Sequence, residues 1–173
     1  MRRSASGIPN CFSRTVNPGR KGPARTSTGA FEAQINGLPA SEFLVLAYSG
    51  ALFNVPVVFL SGDKKVCEEA KMLNPEIMTL PVKEGISGSV TSIHPALAVR
   101  KIGEGVLTTL SKRPELFRIK LPEAFEVELE YRDHPRAYKC SFYPGMEKKD
   151  DFTLIYRTGD FFDVLRMFLF AGY

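Results

Sequence analysis

Few side chains in this 173-residue chain could do chemistry, and they are scattered. The two histidines are His94, directly before Pro95, and His134, inside the polar stretch Arg132-Asp133-His134-Pro135. Neither has a partner at metal-ligand spacing, so a cap or turn role is expected for both. Three cysteines, Cys11, Cys67 and Cys140, are odd in number and lack the short paired spacings of a metal ribbon or a redox pair, which fits a reducing compartment. Glu42 stands in the first turn of an expected helix, where the helix dipole alone favours a carboxylate. Asp63 reads as a helix cap. Lys83 reads first as a strand residue whose charge reaches the end of a sheet, with a functional role as its second reading. Arg14, in Phe12-Ser13-Arg14-Thr15, stays protonated at neutral pH and can act neither as a base nor as a metal ligand.

The elements that must carry these groups begin at Phe31. Ala33-Gln34-Ile35 reads as a short strand closed by Asn36-Gly37, a pair suited to positive φ. A helix capped by Ser41 follows, with Phe43, Leu44, Ala47, Tyr48, Ala51 and Leu52 at helical spacing. Val55 to Leu60, β-branched and bounded by Pro56 and Ser61-Gly62, predicts a buried strand. Lys64 to Leu73 forms the next helix, ended by Asn74-Pro75, and Ile77 to Val82 the next strand. Strand, helix and strand then make a crossover expected to be right-handed and parallel.

Pro95 opens a long helix to about Leu110, with Leu97, Ile102, Val106, Leu107 and Leu110 expected on its buried side. Gly103 and Gly105 weaken it. Farther on, Phe125, Val127 and Leu129 alternate with Glu126, Glu128 and Glu130, the pattern of a half-buried strand. Tyr138 to Tyr143 and Phe152 to Tyr156 are expected as further strands. A final helix, capped by Thr158 or Asp160, carries Phe161, Val164, Leu165, Phe168 and Leu169, and is expected in the core or at a subunit contact. The fold class is therefore α/β: a mixed sheet with βα units in the first half, a strand-rich α+β second half, and a C-terminal helix.

Hydrophobic residues make up 44% of the chain and charged residues 24%, which excludes the disordered classes and leaves a folded body. The apolar runs are shorter than the ~20 residues that cross a bilayer. The net charge of +4 is a local matter. Residues 1–30 hold six basic side chains and no acidic one, whereas from Phe31 onward seventeen basic residues face nineteen acidic ones. This balance, with no aromatic platform beside the basic residues, speaks against nucleic acid as a partner. Residues 1–30 are read as a basic arm without regular elements, and residues 31–173 as the folded domain. A cytoplasmic location is expected. The alternative is a mitochondrial leader in the Arg- and Ser-rich arm, although Pro9, Pro18, Pro23 and four glycines break any long amphipathic helix there.

Several runs together resemble a known family. Ile35-Asn36-Gly37-Leu38-Pro39-Ala40-Ser41-Glu42, followed by Ala47, Tyr48, Ser49, Gly50 and Ala51, is similar to a segment of the zinc-dependent D-aminopeptidases of the dipeptide-transport type. Val55-Pro56-Val57-Val58-Phe59-Leu60-Ser61-Gly62-Asp63 resembles that family's next strand and turn. Val82-Lys83, Ile86-Ser87, Pro95 and Pro144-Gly145-Met146 continue the likeness in order, from about Phe31 to Tyr173. The resemblance implies a two-part α/β fold and zinc held by Asp, Glu and His ligands. It also implies cleavage of N-terminal D-amino acids from short peptides, and assembly into homo-oligomeric rings. Within it, Glu42 corresponds to one metal ligand. Arg14 stands where a catalytic histidine is expected, and Leu46 where the family has asparagine. The family's Asp-x-Glu strand and its histidines would precede Met1. The expectation is therefore the C-terminal part of such an enzyme, inactive by itself; the alternative is a non-catalytic, oligomer-forming relative.

Overall fold

The computed structural model describes residues 30–87 and 89–172. The first element of the described residues is strand β1 (Ala30–Ile35), which turns at Asn36 (φ 51°) and Gly37 (φ 76°) into the two-residue β2 (Leu38–Pro39). Positive φ at both central residues is the geometry that an Asn-Gly turn supplies, and it closes the hairpin expected there. Helix α1 (Glu42–Leu52) follows at once. Strand β3 (Phe59–Asp63), helix α2 (Lys64–Leu73) and strand β4 (Met78–Ile86) make the βαβ unit, with β3 and β4 parallel. Strand β5 (Ser89–Ser92) pairs antiparallel with β4, and helix α3 (Pro95–Leu110) comes next.

In the second half, β6 (Phe125–Tyr131) leads into helix α4 (His134–Cys140), β7 (Met146–Lys148) and β8 (Thr153–Thr158). Helix α5 (Phe161–Met167) then runs into a wider π turn, Phe168–Gly172. Two sheets result, a five-stranded antiparallel one in the order β2-β1-β6-β8-β7 and a three-stranded mixed one in the order β3-β4-β5. The α/β class is as expected, although the opening strand lies in the sheet of the second half rather than beside β3.

Strand β6 is central to the larger sheet. Phe125, Val127, Leu129 and Tyr131 are buried, as the alternation predicts, and they share one core with Ala33, Ile35, Leu154 and Tyr156 of the neighbouring strands. Helices α1 and α5 cover that face: Tyr48 and Phe125 meet the ring of Phe161 at centroid distances of 5.4 and 5.2 Å. On the other face Glu126 and Glu147 pair with Arg157, and Glu128 pairs with Lys149. These pairs are exposed to solvent screening, so each contributes little to stability.

Several expectations are corrected. The strand expected over Val55 to Leu60 starts only at Phe59, and Val55 is 59% exposed. The preceding residues serve the end of α1: Asn54 adopts φ 57° and the Val55 N–H donates to Gly50 O at 2.8 Å, so the chain extends only afterwards. The strand is also an edge strand with half-buried side chains, not a buried central one.

Tyr138 to Tyr143 is not a strand. Asp133 caps α4 by accepting from the Arg136 N–H at 2.9 Å, Pro135 suits a first helical turn, and Ala137 and Cys140 bury one helical face. His134 accordingly opens a helix instead of sitting in a turn. The short alternation of Tyr138, Cys140 and Phe142 mimicked a strand period.

On α3, Leu107 and Leu110 are exposed while Thr109 is buried. Gly105 lies under Phe59, where a Cβ would come within 2.6 Å of the ring, and the Thr109 hydroxyl reaches Gly105 O and Met78 Sδ. This close approach draws the Gly105–Thr109 side against the sheet and turns Leu107 and Leu110 outward. On the closing helix, Leu169 is exposed because the π turn rotates the buried side onto Phe161, Val164, Met167 and Ala171. The Tyr131 hydroxyl, buried and pushed well above its ordinary pKa by desolvation, donates to Ala171 O at 2.6 Å and fastens that turn. Asp160, rather than Thr158, caps α5, accepting from the Phe162 N–H.

Because Leu129 is fully buried at the centre of this core, Leu129→Ala is expected to lower the unfolding free energy by about 2–5 kcal/mol in urea denaturation.

Candidate functional site

Glu42 is positioned by a short chain of local contacts. The β1–β2 hairpin brings the chain back so that the Ala40 N–H donates to Ala33 O at 2.8 Å. Ser41 then takes extended backbone angles, and its hydroxyl accepts from the Leu44 N–H at 3.1 Å, capping α1. Glu42 is the first residue of that helix. Phe43, Leu44, Ala47 and Tyr48 face inward, so Glu42 and Leu46, one turn apart, are left on the outer surface, Leu46 at 60% exposure. The carboxylate meets solvent beside an apolar side chain, and this leaves it available to a ligand.

Asp63 and Lys83 come together at the carboxyl end of the parallel strands, where they are register partners across β3 and β4. That end of an α/β sheet is where ligand sites commonly form. Here it is engaged in helix starting. Asp63 Oδ1 accepts from the Lys65 N–H at 3.0 Å, and the neighbouring Lys64 amine, its pKa raised by hydrogen bonding to Glu84, lies 2.8 Å from that carboxylate. Lys83 is exposed.

The histidines serve local structure. His94 Nδ1 accepts from the Ala96 N–H at 3.3 Å, which makes it the cap of α3. His134 Nε2 lies 3.7 Å from Asp151, a carboxylate held by Lys148 at 2.9 Å and lowered in pKa by that lysine. Cys67 and Cys140 are free and buried, and burial pushes the Cys67 thiol up, away from the reactive thiolate. Arg14 and Cys11 lie outside the described residues, as does the basic arm.

No three His, Cys, Asp or Glu side chains among the described residues are grouped to hold a metal ion. A firmly held zinc takes three or four protein ligands. The described residues alone therefore do not fit the ion. Two open hollows on the surface, one beside Phe142 and Phe170 and one beside Asn36 and Arg157, do not include Glu42. None of the described helices is long and apolar enough to cross a membrane.

The arrangement of two sheets and five helices is that of a known class of hydrolase. It superposes with a TM-score of 0.71 and 26% identity on the zinc-dependent D-aminopeptidase DppA from Bacillus subtilis, described as a self-compartmentalizing protease, covering 83% of this chain and 54% of that one. A D-aminopeptidase of Bacillus subtilis (strain 168) is 30% identical over 122 residues, 70% of this chain and 44% of the relative. The family model for peptidase M55, D-aminopeptidase, matches residues 24–170. The chain belongs to the D-aminopeptidase family. It spans about half the length of these relatives.

Ser41 and Glu42 can be separated by experiment. Ser41→Ala is expected to cost about 1 kcal/mol of stability through the lost cap. Glu42→Gln, at an exposed carboxylate, should change the urea midpoint by less than about 0.5 kcal/mol equivalent. A larger loss for Glu42→Gln would make it a structural residue.

Proposed function

We propose that this chain is part of a zinc-dependent metallo-aminopeptidase that removes N-terminal D-amino acids from short peptides. In this reading Glu42 supplies one ligand of a centre whose other ligands lie outside the described residues. A zinc ion held by Glu42 together with those further ligands would supply Lewis acidity for the hydrolysis. The contribution of this chain is narrower: Ser41 and the hairpin hold Glu42 at the start of α1 with its carboxylate outward. The observation that supports the reading is the carboxylate of Glu42, exposed next to its Ser41 cap, in a chain that matches the family over residues 24–170; the ligand role is what the resemblance of its segment implies.

The chain by itself is proposed not to turn over, because one carboxylate does not grip the ion. Elemental analysis of the purified chain, with a D-alanyl amide assay, is expected to find zinc well below one equivalent and no hydrolysis. Stoichiometric zinc with turnover would overturn the reading.

A second reading, a non-catalytic assembly module, is favoured by one observation. Helix α3 carries Val99, Leu107 and Leu110 on its outer side at 69–72% exposure. The relative described as self-compartmentalizing supports a homo-oligomer for this chain as well. The aromatic closing helix is a weaker candidate for the contact, since Phe161, Val164 and Met167 already fill the chain's own core. Sedimentation of the purified chain is expected to show a mass above that of the 19.3 kDa monomer; a strictly monomeric chain would remove this reading.

A further inference from the structure

Helix α3 holds two interior glycines, and only one of them is explained by the chain's own packing. Glycine inside a helix is destabilising relative to alanine, so each position calls for a reason. Gly105 has one: a Cβ there would come within 2.6 Å of the Phe59 ring. At Gly103 a Cβ would meet nothing within 4 Å, and the residue is exposed.

Gly103 stands in the middle of an apolar stripe. Ala96, Val99, Gly103, Leu107 and Leu110 follow one another at intervals of three and four residues, and at 3.6 residues per turn they fall within an arc of about 80°. All are exposed, and none carries a charge. The side that meets the sheet, with Gly105 and Thr109, is a different one, so no described element covers the stripe.

The stripe is complementary to itself when reversed. About a two-fold axis at Gly103, residues equally far on either side meet: Val99 faces Leu107, Ala96 faces Leu110, and the two glycines face each other where the helices approach most closely. The charges agree with this orientation. Arg100 and Glu104 lie together on one flank of the stripe, both exposed, with 3.8 Å between them within the chain. A two-fold axis keeps that flank on one side of the pair while reversing its direction. Arg100 of each copy thus comes beside Glu104 of the other, offset by about 3 Å along the helix axis.

From these observations we infer that α3 pairs antiparallel with α3 of a second copy of this chain, centred on Gly103. The inference rests on the assembly reading given above and names the contact which that reading needs. The remainder of the family fold is the weaker occupant, because a different segment would not require the two ends of one helix to complement each other in size and in charge. A stripe on one helix is small beside the about 20–30 residues a side of a standard interface, so the dimer forms and dissociates with concentration.

Sedimentation of the full chain over a wide range of concentration is expected to show the 19.3 kDa monomer passing into a species of twice that mass. Leu107→Glu puts a charge into the stripe and should weaken dimerisation by roughly tenfold or more. Arg100→Glu and Glu104→Arg should each weaken it by roughly threefold to tenfold, because like charges then meet across the axis. Mixing these two variants in equal amounts should bring the dimer back, since each finds opposite charges on the other. All three positions are exposed, so the urea midpoints of the variants should stay close to that of the parent chain. Cys67 and Cys140 are buried. In a Cys11→Ser background, Gly103→Cys should therefore form a disulfide between copies under mild oxidation, and Thr108→Cys, on another side of the helix, should not.

Three results would overturn the inference: a chain that stays monomeric at every concentration, a dimer indifferent to Leu107→Glu, or a mixture of the two charge variants that associates no better than either alone. The first would also remove the assembly reading. The second would leave that reading standing with its contact elsewhere.

Discussion

The structure depends on the double pairing of β6. One strand, apolar inward and acidic outward, is hydrogen-bonded to β1 on one side and to β8 on the other. The first and last thirds of the chain are thereby committed to a single core. Asn36 locks this arrangement: its side chain donates to Ala124 O at 2.9 Å and accepts from the Glu126 N–H at 2.7 Å, while its own backbone makes the turn. One residue thus sets the hairpin, the entry of β6 and, through the hairpin, the start of α1. The outward position of Glu42 follows from this register, since a slip of one residue would exchange the two faces of the sheet.

The three-stranded sheet is organised differently. It is held by the β3–α2–β4 crossover, by α3 on the Phe59 and Met78 side, and by a small cluster of Phe43, Ala47, Ala70 and Ile77 that joins α1 and α2. Its groups are satisfied locally, with Asp63 capping, Lys64 paired to Glu84, and His94 capping α3. The side chains that might have been taken for chemistry are therefore largely occupied with starting helices. Glu42 differs: its cap is supplied by Ser41, and the carboxylate is left over. This division of labour between adjacent residues distinguishes a carboxylate available to a ligand from one spent on the fold.

Much of this was legible in the residues. Asn36-Gly37, the Ser41 cap, the Asp63 cap, the Phe125–Tyr131 alternation and the Pro95 start each follow from local stereochemistry, which acts within a few residues and leaves its mark on neighbouring positions. The errors came where a neighbouring cap outweighed an apparent alternation, or where a distant partner decided. Tyr138, Cys140 and Phe142 alternate as a strand would, but Asp133 and Pro135 had already begun a helix. Leu107 and Leu110 are as apolar as any core residue, but the fit of Phe59 over Gly105 gave the sheet-facing place to Thr109.

The sequence by itself determined the local elements, their caps, and the family to which the chain belongs, because capping, turn chemistry and side-chain alternation are short-range and family motifs are runs of neighbouring residues. Only the tertiary structure decided that β1 pairs with β6 rather than with β3, that Glu42 faces solvent beside Leu46, and that β3 lies at the edge of its sheet among the described residues. Those outcomes depend on which surfaces meet across the fold, and packing between segments far apart in the chain leaves no periodic signature in either one.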